Sequence, residues 1–578
     1  MRSRDELLKL AKGTPEVNVL IVGGGINGVG LLRDLAAQQV GALLVEKADF
    51  CSGTSAAPSR LIHGGLRYLE TGEFALVRES VEERNRLLLN APHLVVPIPV
   101  WVPLNSWWAG LGRAPARFFG WTRTPGRKGA LVTKLGLVFY DWFGRKIGGV
   151  PRHRLIGGAE VRRAIPSIAP GVKLVAEFFD ARLVHPERLT LELIADAERD
   201  CPAAVALPYV ALEGHEGREV RLRDQLSGET FSVRPRLVIN TAGPWVDQVD
   251  ARLGEHQRLL GGTRGSHLVL HHPRLARELG TCMLYYETAD HRICLAYCID
   301  AERVLLGTTD LRDDQPDDCR CTEAEIDYLF KELHAALPQV PVGREHIVFS
   351  YAGIRPLPSD DGVVAGAISR DHSVRLLPAG GGRPFDILTL VGGKWTTYRA
   401  CAAQIADDVL ARLGVRRVVD TSTLPIGGGG EGSVEGAALE ARIAPLCART
   451  GVAREQAQAW WARYGAAAQD VALLSTGTGA ATIDGLPGYT VGEMRHLARH
   501  QRVGRLDDVV LRRTLIALEG RCSLPALQAI AAAIGPELGW DRARQDQEVR
   551  VTLDLLARRH GVKIPQDQTL PQAPAVTP

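Results

Sequence analysis

Short apolar runs interrupt an otherwise mixed chain, and several of them end abruptly in small residues. The first, Val17-Asn-Val-Leu-Ile-Val22, stops at Gly23-Gly24-Gly25-Ile26-Asn27-Gly28. A continuous apolar run of that length reads as a buried strand, and the residues behind it predict a helix from about Ile26 to Gln39. A second run, Ala42-Leu-Leu-Val45, ends in Glu46. Farther on, Arg236-Leu-Val-Ile-Asn240 leads into Thr241-Ala242-Gly243-Pro244-Trp245. The run Ile387 to Val391 leads into Gly392-Gly393-Lys394-Trp395-Thr396-Thr397-Tyr398 and a helix through Leu410. Beyond Pro425-Ile-Gly-Gly-Gly-Gly-Glu-Gly432, which reads as a linker, the pattern changes to helical spacing over 434–448, 453–464 and 524–534.

Strand, glycine turn, helix, strand and terminal acid within about 30 residues form a Rossmann-type unit. Gly23 would allow the tight turn, Gly25 the approach of a pyrophosphate, and Gly28 close packing of helix on strand. The phosphates would sit on the amides of the helix N-terminus, with Glu46 accepting from an adenosine ribose hydroxyl. The motif alone leaves FAD and NAD open. The turn at Gly243 either lets backbone approach a flat ligand or is a plain strand end. The helix start after Gly392, Gly393 and Lys394 could stabilise negative charge on a reduced cofactor ring.

At 578 residues, 45% hydrophobic and 23% charged, the chain has material for two or three domains. A net charge of +3 gives no reason to expect nucleic acid as a partner. No run of about 18 apolar residues and no signal-like h-region occurs, so a cytoplasmic, non-spanning protein is expected. The ten cysteines are scattered and lack ligand spacing, so free thiols and no metal site are expected. One stretch departs from the average: Arg84 to Tyr140 contains no Asp or Glu. With 66 acids in 578 residues, such a span should hold roughly six. Within it, Trp107, Trp108, Phe118, Phe119 and Trp121 stand among Arg113, Arg117, Arg123, Arg127 and Lys128. That mixture suits an anionic membrane surface; the alternative is a basic face with its aromatics buried elsewhere.

The run Ser59-Arg60-Leu61-Ile62-His63-Gly64-Gly65-Leu66-Arg67-Tyr68-Leu69-Glu70, taken with Gly265-Ser266-His267, Gly307-Thr308-Thr309-Asp310, Ala352-Gly353-Ile354-Arg355-Pro356 and Gly392-Gly393-Lys394, resembles the FAD-dependent, quinone-linked glycerol-3-phosphate dehydrogenase family. The resemblance runs in order from about residue 17 to 400 and more loosely to about 560. It implies an α/β and α+β architecture: a Rossmann-type FAD-binding domain interleaved with a mostly antiparallel substrate sheet, then a C-terminal helical domain. The implied reaction is oxidation of sn-glycerol 3-phosphate to dihydroxyacetone phosphate, with electrons passing to ubiquinone or menaquinone. An anionic membrane surface and a second copy in a homodimer complete the expected partners.

Oxidising a secondary alcohol this way requires hydride transfer from C2, a base for the hydroxyl proton and cations for the phosphate. By resemblance Arg67, Arg355 and Lys394 converge on phosphate and substrate oxygens, and Tyr68 adds a hydroxyl. His267, expected in a Gly-Ser-His turn, is the candidate base; Arg355, stabilising the developing alkoxide, is the competing assignment. Thr54 and Ser55 match the family's hydroxyl positions near the pyrophosphate, with Ser59 just beyond. Pro58 replaces an expected small residue and removes one amide donor.

The expected domains are an exposed lead, 1–16; a discontinuous FAD domain, 17–104, 180–260 and 350–415; a substrate domain, 105–179 and 261–349; a linker, 416–432; a helical domain, 433–562; and a disordered tail, 563–578. Glu493-Met-Arg-His496 and Arg512-Arg513 are expected on a solvated helix face. Two other functions fit the same motifs: an oxidase that passes electrons to oxygen, acting on glycerol 3-phosphate or on an amine or amino acid, and a flavin-fold binding module without turnover.

Overall fold

The computed structural model describes residues 1–66, 73–107, 130–145, 147–148, 150–359, 372–431 and 436–564. The chain divides into two units, one formed by Arg4–Ile347 and Tyr351–Gly432, the other chiefly by Ser433–Pro578.

The larger unit is a mixed α/β structure built on two sheets. In the first, the strands run in the order Ser373–Leu377, Asp386–Val391, Thr230–Asn240, Glu16–Val22, Ala42–Glu46 and Val205–Pro208. The pairings from Asp386–Val391 through Val205–Pro208 are all parallel. Parallel strands are covered on both faces, which is why they read as unbroken apolar runs. Leu20, Ile21, Leu44, Val238, Ile239 and Ile387 are accordingly buried. The helix after the glycine turn is Ile26–Ala37, and the one after Gly393 is Tyr398–Leu413.

The second sheet is largely antiparallel. It runs Leu311–Arg312, Thr263–His271, Arg303–Gly307, Ile293–Cys298, Met283–Glu287, Val95–Leu104, Leu174–Leu183 and Leu61–Ile62, with Ile347–Arg355 and Arg154–Gly157 paired alongside. Its apolar face packs on the helix Glu323–Ala336 through Leu268, Leu284, Ala296, Leu306 and Leu329.

Several expected boundaries differ. Leu61–Ile62, Val95–Leu104 and the strand carrying Arg355 were assigned to the nucleotide domain but belong to the second sheet, because sheet membership depends on pairing partners distant in sequence. The lead 1–16 is not a loose extension: Arg4–Gly13 is a helix whose Leu7, Leu8 and Ala11 are buried, and Arg4 pairs with buried Asp224 at 2.5 Å. Nor is 416–431 a free linker. Thr421 Oγ1 donates to Asp34 (2.8 Å), Ile426 N–H to Asn90 O (2.9 Å) and Gly427 N–H to Asp196 (2.9 Å).

In the smaller unit, helices Gly436–Thr450, Arg454–Tyr464, Val491–His500, Leu524–Leu538 and Arg542–His560 pack around Trp460, Leu497 and Ile530. Glu493, His496, Arg512 and Arg513 are buried rather than on a solvated face. Trp460, Arg463 and Tyr464 all donate to the Glu493 carboxylate, which makes its burial tolerable. The tail from 565 lies outside the described residues.

Candidate functional site

The glycine turn has the geometry its spacing predicts. Gly23 has φ +114°, and a Cβ there would lie 2.6 Å from Thr241 O. A Cβ on Gly28 would lie 2.0 Å from Gly23 O, so no other residue permits this packing of helix on strand. Gly25 faces Ser55, whose Oγ accepts from Ile26 N–H at 3.0 Å. Glu46 takes the amides of Gly24 (2.7 Å) and Ala48 (3.0 Å). Burial pushes its carboxyl above the usual range, with those two amides pulling the other way.

Four distant segments meet at this turn. Thr54 Oγ1 donates to Ile354 O at 2.5 Å, directly before Arg355. Trp395 Nε1 donates to Ser55 O (3.1 Å), and His63 N–H to Thr396 Oγ1 (3.1 Å). Gly392 and Gly393 have φ +89° and +106°, and a Cβ on Gly393 would lie 2.4 Å from Asn27 Nδ2. Lys394 follows, its ammonium shielded from solvent. Gly243, φ +57°, lies in a turn stapled by Asn240: Ala242 N–H donates to Asn240 Oδ1 (3.2 Å), and Asn240 Nδ2 donates to Val246 O (2.9 Å). These positive-φ glycines at the ends of parallel strands and the buried Asn27 Oδ1, which has no partner among the described residues, fit a dinucleotide laid across the strand ends.

His267 lies within the strand Thr263–His271, opposite Gly307, rather than in a turn. Its Nε2 is 2.8 Å from Ser59 Oγ, and its ring stacks on Tyr351 at 4.8 Å between centroids. Burial first, then the guanidiniums of Arg355 and Arg60, push its pKa down to about 3, so the ring is neutral. Arg355 is fixed by Asp310 (3.1 Å) and Thr308 Oγ1 (3.1 Å). Arg67 and Tyr68 lie outside the described residues.

The motif glycines explain this convergence. A Cβ on Gly265 would meet the Arg355 guanidinium at 2.1 Å, and one on Gly307 would meet the His267 ring at 2.2 Å. The sequence assigned Ser59 to the cofactor, placed Thr308 and Asp310 in a motif without a role, and gave no signal for Tyr351. Only the recurrence of glycine beside His267 and before Thr308 signalled that side chains needed the space. Pro58 lacks an amide donor, and its carbonyl accepts from Tyr351 Oη at 2.9 Å.

Comparison with known proteins shows what the chain is similar to. Residues 18–399 match the family described as FAD dependent oxidoreductase, and 419–545 match the C-terminal domain of alpha-glycerophosphate oxidase. A glycerol-3-phosphate dehydrogenase of Synechocystis sp. is 33% identical over 560 residues, covering 92% of this chain and 95% of that one. One from Mycobacterium leprae is 29% identical, covering 97% and 92%. The crystal structure of the Bacillus halodurans glycerol-3-phosphate dehydrogenase complexed with FAD superposes with a TM-score of 0.72 at 22% identity, over 96% of this chain and 97% of that one.

Proposed function

Because the chain belongs to the FAD-dependent glycerol-3-phosphate dehydrogenase family, we propose that it oxidises sn-glycerol 3-phosphate to dihydroxyacetone phosphate and delivers the electrons to a membrane quinone. The observation that carries this reading is the meeting of Ser59, His267 and Arg355 with the glycine turn and the Gly392–Thr396 loop. In this reading the parallel sheet holds FAD through Gly23, Gly25, Gly28, Glu46, Thr54, Ser55, Gly243, Gly392 and Gly393, and the antiparallel sheet roofs the substrate.

Bound there, FAD supplies the acceptor for the hydride leaving C2. The neutral His267 receives the hydroxyl proton, directly or through Ser59 Oγ. Beside two guanidiniums, a protonated imidazole is unfavourable until the substrate's phosphate brings negative charge. The substrate therefore makes its own base competent. Arg355, oriented by Asp310, faces the developing alkoxide, while Arg67, Tyr68 and Lys394 take phosphate and substrate oxygens.

The membrane side of the proposal has support in the helix Ala130–Gly144. Leu131, Leu135, Val138 and Trp142, at i, i+4, i+7 and i+11, form an exposed apolar stripe just after the basic and aromatic segment, most of which lies outside the described residues. No helix among the described residues is long and apolar enough to cross a membrane. Peripheral seating on the cytoplasmic face fits both facts.

Titrated anaerobically with sn-glycerol 3-phosphate, the FAD-loaded protein should lose its oxidised flavin absorbance; a spectrum unmoved at saturating substrate would overturn the assignment. Oxygen is the alternative acceptor to quinone. Peroxide released per turnover, compared with quinone reduced, separates the two.

A further inference from the structure

Side chains alternate between the two faces of the strand Thr263–His271. Gly265 and His267 face Arg355 and Tyr351, whereas Ser266 bonds to Glu325 and Leu268 and Leu270 pack with Leu329 on the helix Glu323–Ala336. The register of this strand slips by one residue at the site. His267 pairs with Gly307 and Arg264 with Leu311, so Gly265 and Ser266 stand opposite three residues, Thr308, Thr309 and Asp310. An extra residue of this kind disrupts the ladder and re-aims its neighbours.

Here side chains replace the ladder. Ser266 N–H donates to Thr309 Oγ1 (2.9 Å), and Thr309 Oγ1 and Ser266 Oγ both donate to Glu325 Oε1 (2.7 and 2.8 Å). On its other side the same three-residue stretch grips Arg355, which donates to Asp310 (3.1 Å), Thr308 Oγ1 (3.1 Å) and Thr309 O (3.3 Å). Ser266, Thr309 and Glu325 are buried. Glu325 Oε2 accepts from Thr322 N–H (3.0 Å) and Thr322 Oγ1 (2.8 Å) at the helix start, with Arg264 Nε 3.2 Å away. Burial alone would raise this carboxyl, but hydrogen bonds from Thr309, Thr322 and Ser266 hold it below the usual range. Glu325 is therefore an ionised acceptor.

A helix cap needs only the Thr322 half of these contacts. The other half joins two backbone segments across the slipped register, one continuing into His267 and the other holding Arg355. We propose that Glu325 is a positioning residue for the oxidation step: from the face of the sheet opposite His267 and Arg355, it fixes the spacing between those two side chains. This rests on the reading above that His267 receives the hydroxyl proton and Arg355 faces the developing alkoxide.

The test uses full-length, FAD-loaded protein, stopped-flow anaerobic flavin reduction by sn-glycerol 3-phosphate, and urea unfolding. Glu325→Gln keeps the volume but offers one acceptor oxygen where two now serve. Its limiting rate should fall about tenfold, as small misplacements of reacting groups cost, with half-saturation within about threefold and FAD content within about twofold of wild type. Thr309→Val, which replaces the bridging hydroxyl with a methyl, should show the same fall, and the double variant no more than either alone. Thr322→Ala removes the cap and leaves Ser266 and Thr309 on the carboxylate; it should lower the urea midpoint and keep the wild-type rate. A rate in Thr322→Ala as low as that of Glu325→Gln would reduce the carboxylate to a helix cap and overturn the proposal. Additive falls in the double variant, or a wild-type rate in Thr309→Val, would overturn it as well. If the wild-type flavin is reduced and Glu325→Gln matches its rate, the positioning role alone is lost. If sn-glycerol 3-phosphate leaves the wild-type flavin oxidised, the substrate reading fails, and the role of Glu325 with it.

Discussion

A histidine acting as base in alcohol oxidation must be unprotonated, hence neutral, beforehand and must tolerate a proton during the step. His267 meets the first demand by burial between Arg355 and Arg60. In the proposed reaction, substrate charge meets the second. His267→Ala should therefore lower the limiting rate of anaerobic flavin reduction by on the order of 10²-fold or more and move half-saturation by only a few fold, measured by stopped flow. The same variant tests the electrostatics. Between pH 6.5 and about 3 the unfolded chain binds a proton that the buried ring refuses, so folding stability must fall as pH is lowered through that window. Denaturant unfolding at pH 7 and pH 5 should show a smaller loss in His267→Ala than in the wild type. The candidate base was legible in the motif but its burial was not: Gly265-Ser266-His267 read as a turn, because the strand pairing that buries it comes from Arg303–Gly307, dozens of residues away.

Elements were legible where their signal is local. The turn at Gly23 to Gly28 and the helix behind it follow from covalent spacing and apolar periodicity, and the structure reproduces both. The N-terminal helix was missed because its apolar face is only Leu7, Leu8 and Ala11 among five charged residues, too short to register as periodic. Its burial is nonetheless complete at Leu7. Leu7→Ala should destabilise the larger unit by about 2–5 kcal/mol, the range for a leucine deleted from a packed core, read as a lowered midpoint in urea. An exposed lead would give no shift. Burial of Glu493 and Arg513 was equally invisible, since charged residues at helical spacing look the same whether they face water or each other.

At the scale of the whole molecule, the apolar stripe of Ala130–Gly144 is an outlying feature. Leu135 and Trp142 are 55% and 58% exposed, and burying two such side chains in lipid is worth several kcal/mol. The protein should float with vesicles of anionic phospholipid. Replacing Leu135 and Trp142 together with Ser should weaken that association at least about tenfold while sparing flavin reduction by substrate in solution. Equal flotation of the variant would show that the stripe does not seat the protein on lipid. The interleaving of the two sheets carries a different consequence, for how the chain is made. Glu16–Val22 meets Ala42–Glu46 early but lacks its other neighbour until Thr230–Asn240 exists, and that strand in turn waits for Asp386–Val391. During synthesis the ribosome must therefore release most of the larger unit before either sheet can close. Such late, non-local pairing slows folding and leaves apolar strands uncovered in the meantime. A nascent chain of this topology depends on chaperones in proportion to that delay, and its flavin can enter only at the end.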